Sequence, residues 1–340
     1  MIAFADVEAA AGRIKGSIRR TPLLAATSLR QPPVEAKLFL KLECLQPTGS
    51  FKDRGAMNRL LTSEPKKLAR GVVTASGGNH GLAVARAATM AGVAATIFVS
   101  EAAAPYKLTK LDAWGAKVVR VAGHWDAARD AALAFAADAG AEFFHPFADP
   151  KVVAGQGTIG VELAAELPDI DVVIVAVGGG GLIGGLSVAL RTLKPGARII
   201  GVEPIGSPTL RACLEAGRLV RLDRIDTRVA TMACPQTEES VFQIVRRNVD
   251  DIVLVSDDDM LEAARWLWFE LGIAADLSGA AGVAALKTGS VTVRPGDSVC
   301  ALVCGAGTEG FSTPLSNSSI GEPTVDGRQG QRDANGGKAL

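Results

Sequence analysis

Residues 41–56 read KLECLQPTGSFKDRGA. The apolar run at 37–42 predicts a strand, the Pro/Gly turn at 46–49 interrupts it, and an amphipathic pattern from Phe51 predicts a helix. Lys52 therefore lies at a strand-to-helix transition, beside an aromatic ring. The helix dipole disfavours a lysine in the first turn of a helix. Desolvation there would lower the pKa of Lys52 and make its amine a nucleophile for carbonyl chemistry. The alternative is that Lys52 is a surface lysine without a function.

Apolar segments alternate with helical patterns along most of the chain. Strands are predicted at 71–74, 94–99, 117–121, 142–144, 172–177, 199–203 and 299–303. Helices are predicted at 6–18, 51–61, 79–91, 105–114, 125–139, 157–166, from 182, and at 209–216, 238–245, 260–271 and 278–286. Such alternation indicates parallel βαβ units and an α/β fold with an open, doubly wound sheet.

The composition is that of an ordinary globular protein. Of 340 residues, 48% are hydrophobic and 21% charged, and 36 basic residues balance 36 acidic ones, so the totals imply no basic face for nucleic acid or an anionic membrane. No apolar run reaches 18 residues and the N-terminus lacks a basic region before an apolar one, so we expect neither a membrane span nor a signal peptide. The five cysteines form no CxxC pair, which fits a reducing cytoplasm.

Four consecutive glycines, Gly178, Gly179, Gly180 and Gly181, follow a predicted buried strand and open a helix at Leu182. Glycines let backbone N–H groups approach an anion closely, and a helix N-terminus adds partial positive charge. This pattern predicts a phosphate cradle. A tight turn that needs positive φ angles is the alternative, but it explains one or two glycines better than four.

The same segment also satisfies a dinucleotide-binding pattern. Gly179, Gly181 and Gly184 have the G-x-G-x-x-G spacing, and Glu203 ends the next predicted strand, where an acidic residue would bind a ribose. An NAD-dependent dehydrogenase would, however, leave the lysine motif without a purpose.

A second loop, SGGNHG at 76–81, precedes another predicted helix and therefore predicts a second anion site. One cradle for a phosphate and another for a carboxylate suit an amino acid bound to a phosphorylated cofactor. Ser76 and Asn79 acting simply as helix caps is the alternative.

Together these motifs resemble those of the fold-type II pyridoxal-phosphate enzymes, the threonine/serine dehydratase (ammonia-lyase) and serine racemase family, from about residue 20 to 307. The resemblance implies a tryptophan synthase β-like fold, with two open, mostly parallel, doubly wound sheets and the cofactor between two domains. Residues 1–52 and 148–311 would form the large cofactor-binding domain and 53–147 the small one. The polar, glycine-rich tail at 312–340 is predicted to be disordered.

By this resemblance the cofactor is pyridoxal 5'-phosphate, which Lys52 would hold as a Schiff base before taking the α-proton of the substrate. A neutral Cys304 thiol would face the pyridine nitrogen and leave it unprotonated. The residues implied to contact the cofactor are Phe51, Lys52, Asn79, Gly178, Gly179, Gly180, Gly181, Leu182 and Cys304. Those implied to line the substrate carboxylate are Ser76, Gly77, Asn79 and His80.

Two segments depart from the family pattern. Glu203 matches a segment where some relatives bind a divalent cation, but Thr209 stands where a second carboxylate is usual, so a metal is not favoured. Ala233, Cys234 and Pro235 stand where relatives commonly have Ala-Asp-Gly, which leaves the identity of the substrate open.

The implied activity is the conversion of β-hydroxy amino acids to 2-oxo acids and ammonia, with L-threonine and L-serine the leading substrates. A dehydratase of hydroxyaspartate or of a hydroxyectoine-derived amino acid, a serine racemase and a catalytically silent ligand-binding relative are the alternatives. Gly77 favours elimination over racemisation, because the family's racemases carry a serine at the matching position. A cytoplasmic homodimer is expected.

Overall fold

The computed structural model describes residues 1–101, 103, 105–123 and 125–311. The predicted disordered tail lies outside these residues. The strands are β1 Leu23–Ala25, β2 Lys37–Lys41, β3 Val72–Ala75, β4 Ala95–Ser100, β5 Lys117–Val121, β6 Glu142–Phe143, β7 Val172–Ala176, β8 Arg198–Pro204, β9 Asp251–Val255 and β10 Ser298–Leu302. The helices are α1 Phe4–Ile14, α2 Lys52–Leu61, α3 Pro65–Leu68, α4 Asn79–Met90, α5 Pro105–Ala113, α6 Trp125–Ala139, α7 Pro150–Glu166, α8 Gly181–Leu193, α9 Thr209–Ala216, α10 Glu239–Asn248, α11 Asp257–Leu271 and α12 Leu277–Lys287.

The strands form two sheets, which confirms the predicted α/β class. A six-stranded sheet has the order β1-β2-β10-β7-β8-β9, and a four-stranded sheet has the order β5-β4-β3-β6. Every pair of neighbouring strands is parallel except β1 and β2. The four strands of the smaller sheet all lie within 53–147, the segment predicted to form the small domain.

Each sheet has its own apolar core. All five residues of β7 and of β10 are buried, as expected for central strands that helices cover on both faces. The four-stranded sheet packs one face against α4 and α5 and the other against α6, where Phe98 contacts Phe135 at a ring-centroid distance of 5.6 Å. None of the helices in the described part of the chain is long and apolar enough to cross a membrane.

Several element boundaries differ from the sequence-based prediction. Helix α7 begins at Pro150 rather than near residue 157, because Asp149 caps it by accepting hydrogen bonds from the N–H groups of Lys151 and Val152. A proline in the first turn after an aspartate is a helix-start signal, which the predicted start near residue 157 did not take into account. Strands β1 and β9 and the short helix α3 were not predicted.

The parallel strands bring several loops to the same edge of the sheets. Strands β2, β10 and β7 are neighbours, so the segments that follow them meet at their carboxyl ends. Ligands of open α/β sheets bind in the crevice outside these ends. The fold therefore places the lysine motif, the tetraglycine loop and Cys304 at one crevice.

Candidate active site

Lys52 is the first residue of α2 and its half-buried side chain points into a cavity. Its Nζ donates a hydrogen bond of 2.6 Å to the carbonyl oxygen of Pro146 and lies 5.0 Å from the centroid of the Phe51 ring. Desolvation by the surrounding protein lowers the pKa of Lys52 to about 8. A substantial fraction of the amine is therefore neutral, and hence nucleophilic, near physiological pH.

A buried network of charges, which was not predicted from the sequence, holds α2 in place. The guanidinium of Arg54, 0% exposed, donates to both carboxylate oxygens of Glu43, at 2.7 and 2.8 Å, and to both of Glu162, at 2.7 and 2.9 Å. Lys41 adds an ion pair of 2.8 Å to Glu162. These bidentate contacts join the lysine helix to the turn that follows β2 and to α7, so the backbone next to Lys52 is held on two sides.

The tetraglycine loop has no room for side chains. A Cβ atom at Gly179 would lie 2.4 Å from the Phe147 ring, and one at Gly181 would lie 2.3 Å from the Phe147 carbonyl oxygen. Gly180 has a φ angle of +86°, which favours glycine. Helix α8 starts at Gly181, so its unpaired N–H groups lie beside this loop, as an anion site requires.

The second glycine-rich loop leads from β3 into α4. Ser76 Oγ accepts a hydrogen bond of 3.3 Å from the Gly78 N–H, and Asn79 begins the helix. The His80 ring is 2% exposed, its Nε2 lies 3.1 Å from the Phe144 carbonyl oxygen, and burial lowers its pKa to about 3. The imidazole is therefore neutral, so a carboxylate at this loop would meet backbone N–H groups and polar side chains rather than a cation.

Cys304 follows the last strand and lies close to the lysine helix. The Phe51 N–H donates to the Cys304 carbonyl oxygen at 3.1 Å. The thiol lies 3.6 Å from Ser278 Oγ, which donates in turn to Asp276 at 2.7 Å. Burial raises the pKa of the Cys304 thiol, so it is neutral at physiological pH.

One cavity of about 590 Å³ brings these groups together. Every residue predicted to contact the cofactor or the substrate carboxylate lines it: Phe51, Lys52, Ser76, Gly77, Asn79, His80, Gly178, Gly179, Gly180, Gly181, Leu182 and Cys304. Ala233, Cys234 and Pro235 line it as well. Residues of β4 and α6, among them Phe98, Val99 and Ala128, were missed, because the sequence does not reveal which strand ends face the crevice.

Glu203 does not line this cavity. Its carboxylate caps α9, with one oxygen accepting from the Leu210 N–H at 2.8 Å and the other from the Arg211 N–H at 3.0 Å. Both oxygens are thus engaged within the protein, which removes the acidic residue that the dinucleotide alternative needs. Across the described ranges no cluster of three or more His, Cys, Asp or Glu side chains could hold a metal ion.

The loop that departs from the family pattern is fastened by the residues around Glu203. Thr209 Oγ1 donates to the Cys234 carbonyl oxygen, and Ser207 Oγ accepts from the Cys234 N–H at 3.2 Å. Thr237 Oγ1 donates to the Gly179 carbonyl oxygen at 2.9 Å. These contacts fix the loop against the tetraglycine segment and present it as one wall of the cavity.

The chemistry of this cavity fits a phosphorylated aldehyde. A glycine cradle at a helix N-terminus suits a phosphate, a lysine of lowered pKa suits an aldehyde carbon, and a neutral thiol suits an uncharged ring nitrogen. Pyridoxal phosphate carries all three groups.

Comparison with known proteins agrees with this chemistry. Residues 14–305 match the family described as pyridoxal-phosphate dependent enzyme. An L-threonine ammonia-lyase of Thermotoga maritima is 40% identical over 84% of this chain and 71% of its own. A phenylserine dehydratase of Ralstonia pickettii is 36% identical over 89% of this chain and 94% of its own. The structure of maize serine racemase superposes with a TM-score of 0.85 and 30% identity, over 89% of this chain and 93% of that one. The chain therefore belongs to the fold-type II pyridoxal-phosphate-dependent enzymes, the family of threonine ammonia-lyases and serine racemases, and pyridoxal phosphate is its cofactor.

Proposed function

We propose that this protein is an ammonia-lyase that converts β-hydroxy amino acids, first of all L-threonine and L-serine, to the corresponding 2-oxo acid and ammonia. The observation that carries the proposal is the position of Lys52, an amine of lowered pKa that shares one cavity with two glycine-rich helix N-termini. The Thermotoga relative, named for the same activity, supports it. Elimination is also the reaction of the phenylserine dehydratase, according to its name.

We assign the cofactor contacts as follows. Backbone N–H groups of the loop from Gly178 to Leu182 would hold the phosphate, and Lys52 would bind the aldehyde carbon. The neutral Cys304 thiol would accompany an unprotonated ring nitrogen. When bound, pyridoxal phosphate delocalises the negative charge that develops on the α-carbon as its proton leaves.

Lys52 would also move the α-proton. A general base works best when its pKa lies near the operating pH, and desolvation lowers the pKa of Lys52 to about 8. The loop at 76–80 would orient the substrate carboxylate, so that the α-hydrogen faces the amine. Hydrogen-bond donors of the α4 N-terminus and the Ser76 hydroxyl are the groups available for this contact.

A racemase is the second candidate, supported by the similarity to maize serine racemase. Racemisation needs a second acid–base group on the opposite face of the α-carbon. Gly77 has no side chain to supply one, and the nearest neighbours of a Cβ atom at this position would be the apolar side chains of Val99 and Ala103, at 3.4 to 3.6 Å. We therefore expect elimination to dominate.

The deciding experiment incubates the purified holoenzyme with L-threonine, L-serine and hydroxyaspartate and measures 2-oxo acid, ammonia and D-serine. We expect 2-oxo acid from threonine and serine, and little D-serine. Borohydride should fix the cofactor on the peptide that contains Lys52, and Lys52→Ala should abolish turnover while the protein stays folded. Labelling of another lysine, or D-serine formed as fast as pyruvate, would refute the assignment.

We further expect a homodimer in a reducing compartment such as the cytoplasm, in line with five cysteines that are all free thiols in the structure. Sedimentation of the holoenzyme tests the assembly, and a monomer at micromolar concentration would exclude the dimer.

A further inference from the structure

We propose that the cavity is built for β-hydroxy amino acids whose β-substituent is large and apolar, such as the phenyl group of β-phenylserine. This inference rests on the proposed function and adds to it the class of side chain that the site accepts. It comes from the two walls of the cavity that neither the phosphate cradle nor the lysine uses.

The first wall is formed by the carboxyl end of β4 and its surroundings. Phe98, Val99, Ala103 and Ala128 line the cavity here. Val99 and Ala103 stand directly behind Gly77, since a Cβ atom built on Gly77 would lie 3.4 Å from Val99 Cγ1 and 3.5 Å from Ala103 Cβ. This apolar surface therefore begins at the loop that would hold the substrate carboxylate, which is one bond from the α-carbon.

The second wall is the loop that carries Met232, Ala233 and Pro235. Ser207 Oγ donates to the Met232 carbonyl oxygen at 3.3 Å, and Thr209 Oγ1 donates to that of Cys234, so these backbone oxygens bond within the protein. Met232 is 2% exposed and packs in the core, so the Ala233 methyl, the Pro235 ring and the Thr231 hydroxyl are the side-chain groups of this loop that remain to face a ligand. Where relatives commonly carry an aspartate in this segment, the chain has Cys234, whose thiol donates to the Gln236 carbonyl oxygen at 3.1 Å.

The charge of the cavity points the same way. Among the described residues that line it, Lys52 is the only one with a charged side chain, and its amine would serve the cofactor and the α-proton rather than the β-substituent. A second carboxylate, as in hydroxyaspartate, would thus find no other cation among these described residues and would lose its hydration. An apolar substituent loses no hydrogen bonds on entering and is favoured by the area it buries.

The size of the cavity allows an aryl group. A cavity of roughly 150 Å³ is enough for a benzene ring, which is about a quarter of the 590 Å³ available here. The rest is left for the cofactor and for the part that all amino-acid substrates share. The similarity to a phenylserine dehydratase over 89% of this chain is consistent with this assignment.

The reaction itself is unchanged by the larger substituent. The Cα–H and Cβ–O bonds break, the hydroxyl leaves as water, and one water is taken up when the C–N bond is hydrolysed. β-Phenylserine would therefore give phenylpyruvate and ammonia, with no oxidant or reductant.

The first test compares kcat/KM for L-serine, L-threonine and L-threo-β-phenylserine on the holoenzyme. In an apolar pocket a single methylene is worth about 10- to 200-fold, so we expect kcat/KM for phenylserine to exceed that for serine by at least about tenfold. Binding is measured separately with L-alanine and L-phenylalanine, which lack a leaving group, by the change that each causes in the cofactor absorbance. L-Phenylalanine should bind at least about tenfold more tightly.

Two variants narrow the site from opposite walls, and a third serves as their control. Ala233→Leu and Ala103→Leu should each lower the ratio of kcat/KM for phenylserine to that for serine by about tenfold or more. Ala216→Leu adds the same side chain at an exposed position of α9 outside the cavity and should leave this ratio unchanged.

The outcomes separate this inference from the proposed function. Turnover of serine and threonine without turnover of phenylserine, together with L-alanine binding as tightly as L-phenylalanine, would overturn the inference and leave the ammonia-lyase intact. No turnover of any of the three substrates would refute the ammonia-lyase, and the binding comparison would still decide whether the site selects large apolar side chains. A selectivity ratio that neither cavity variant changes, in folded protein, would also overturn the inference.

Discussion

Replacing Arg54 with methionine would test whether the buried charge network holds the lysine helix. The guanidinium is 0% exposed and is the only cation within hydrogen-bonding distance of Glu43 in the described structure. After the substitution Glu43, itself 0% exposed, would keep only the neutral donors Thr21 Oγ1 at 2.5 Å and Gln46 Nε2 at 3.3 Å. Glu162 would keep its ion pair with Lys41. The cost therefore falls mainly on Glu43.

Removing one partner of a buried ion pair costs about 3–5 kcal/mol. At about 2–4 °C per kcal/mol for a large domain, the thermal midpoint of Arg54→Met should fall by roughly 6–20 °C. The double variant Arg54→Met, Glu43→Gln replaces the unpaired carboxylate by a neutral amide and should recover part of the lost stability. We expect a coupling free energy of about 2 kcal/mol between the two sites. Loss of the network should also displace α2 and thereby lower kcat, since a displacement of about 1 Å at a reacting group can lower the rate about 100-fold.

The assay is a thermal melt of each variant at saturating cofactor, paired with steady-state kinetics. Arg224→Met is the matched control, because the Arg224 side chain is 80% exposed and its one ion pair in the described structure is with Asp226, which is 74% exposed. That control should change the free energy of unfolding by less than about 0.5 kcal/mol. If Arg54→Met melts within 2 °C or so of the control, or if the Glu43→Gln change lowers the midpoint of Arg54→Met further, the network does not hold the helix as described.

The rate at which the apoprotein takes up pyridoxal phosphate, followed by the cofactor absorbance, should rise about tenfold per pH unit and level off above pH 8, because desolvation lowers the pKa of Lys52 to about 8 and only the neutral amine reacts. An uptake rate that keeps rising to about pH 10 would mean that Lys52 is an ordinary, solvated lysine. Cys304→Ser should leave the visible spectrum of the cofactor nearly unchanged. Cys304→Asp should shift the spectrum and slow elimination, because a carboxylate would favour a protonated ring nitrogen. If the Asp variant matches the wild type in spectrum and rate, Cys304 contributes only to packing. Gly77→Ser should raise the fraction of D-serine that the enzyme forms from L-serine, as measured on a chiral column. The nearest contacts of the new Cβ, at 3.4 to 3.6 Å, leave room for it, and the hydroxyl could serve as a second acid–base group worth about 10²–10⁴-fold. An unchanged fraction in folded protein would show that another group limits racemisation.

Most of the fold and of the functional motifs could be predicted from short segments of the sequence. The alternation of apolar segments and helical patterns predicted an α/β protein with mostly parallel sheets, and the tetraglycine loop and Lys52 were each recognisable from fewer than twenty residues of chain. Such features are local because a turn, a helix start or an anion cradle depends on neighbouring backbone angles. An exception is the start of α7, which was predicted near residue 157 although Asp149 and Pro150 form a local start signal.

Only the tertiary structure decided which distant residues share one site. Arg54 and Glu162 give no sequence signal for each other, yet they form a bidentate pair because α2 packs against α7. Glu203 matched both a dinucleotide and a metal pattern, and its burial beneath the N-terminus of α9 gives it another partner. Likewise Val99 and Ala103 came to line the cavity through the pairing of β4 with β3, which sets them behind Gly77. The sequence specifies which chemical groups are present, but the contacts of these groups depend on how elements far apart in the chain pack together. That packing is determined by the burial of apolar surface over the whole fold.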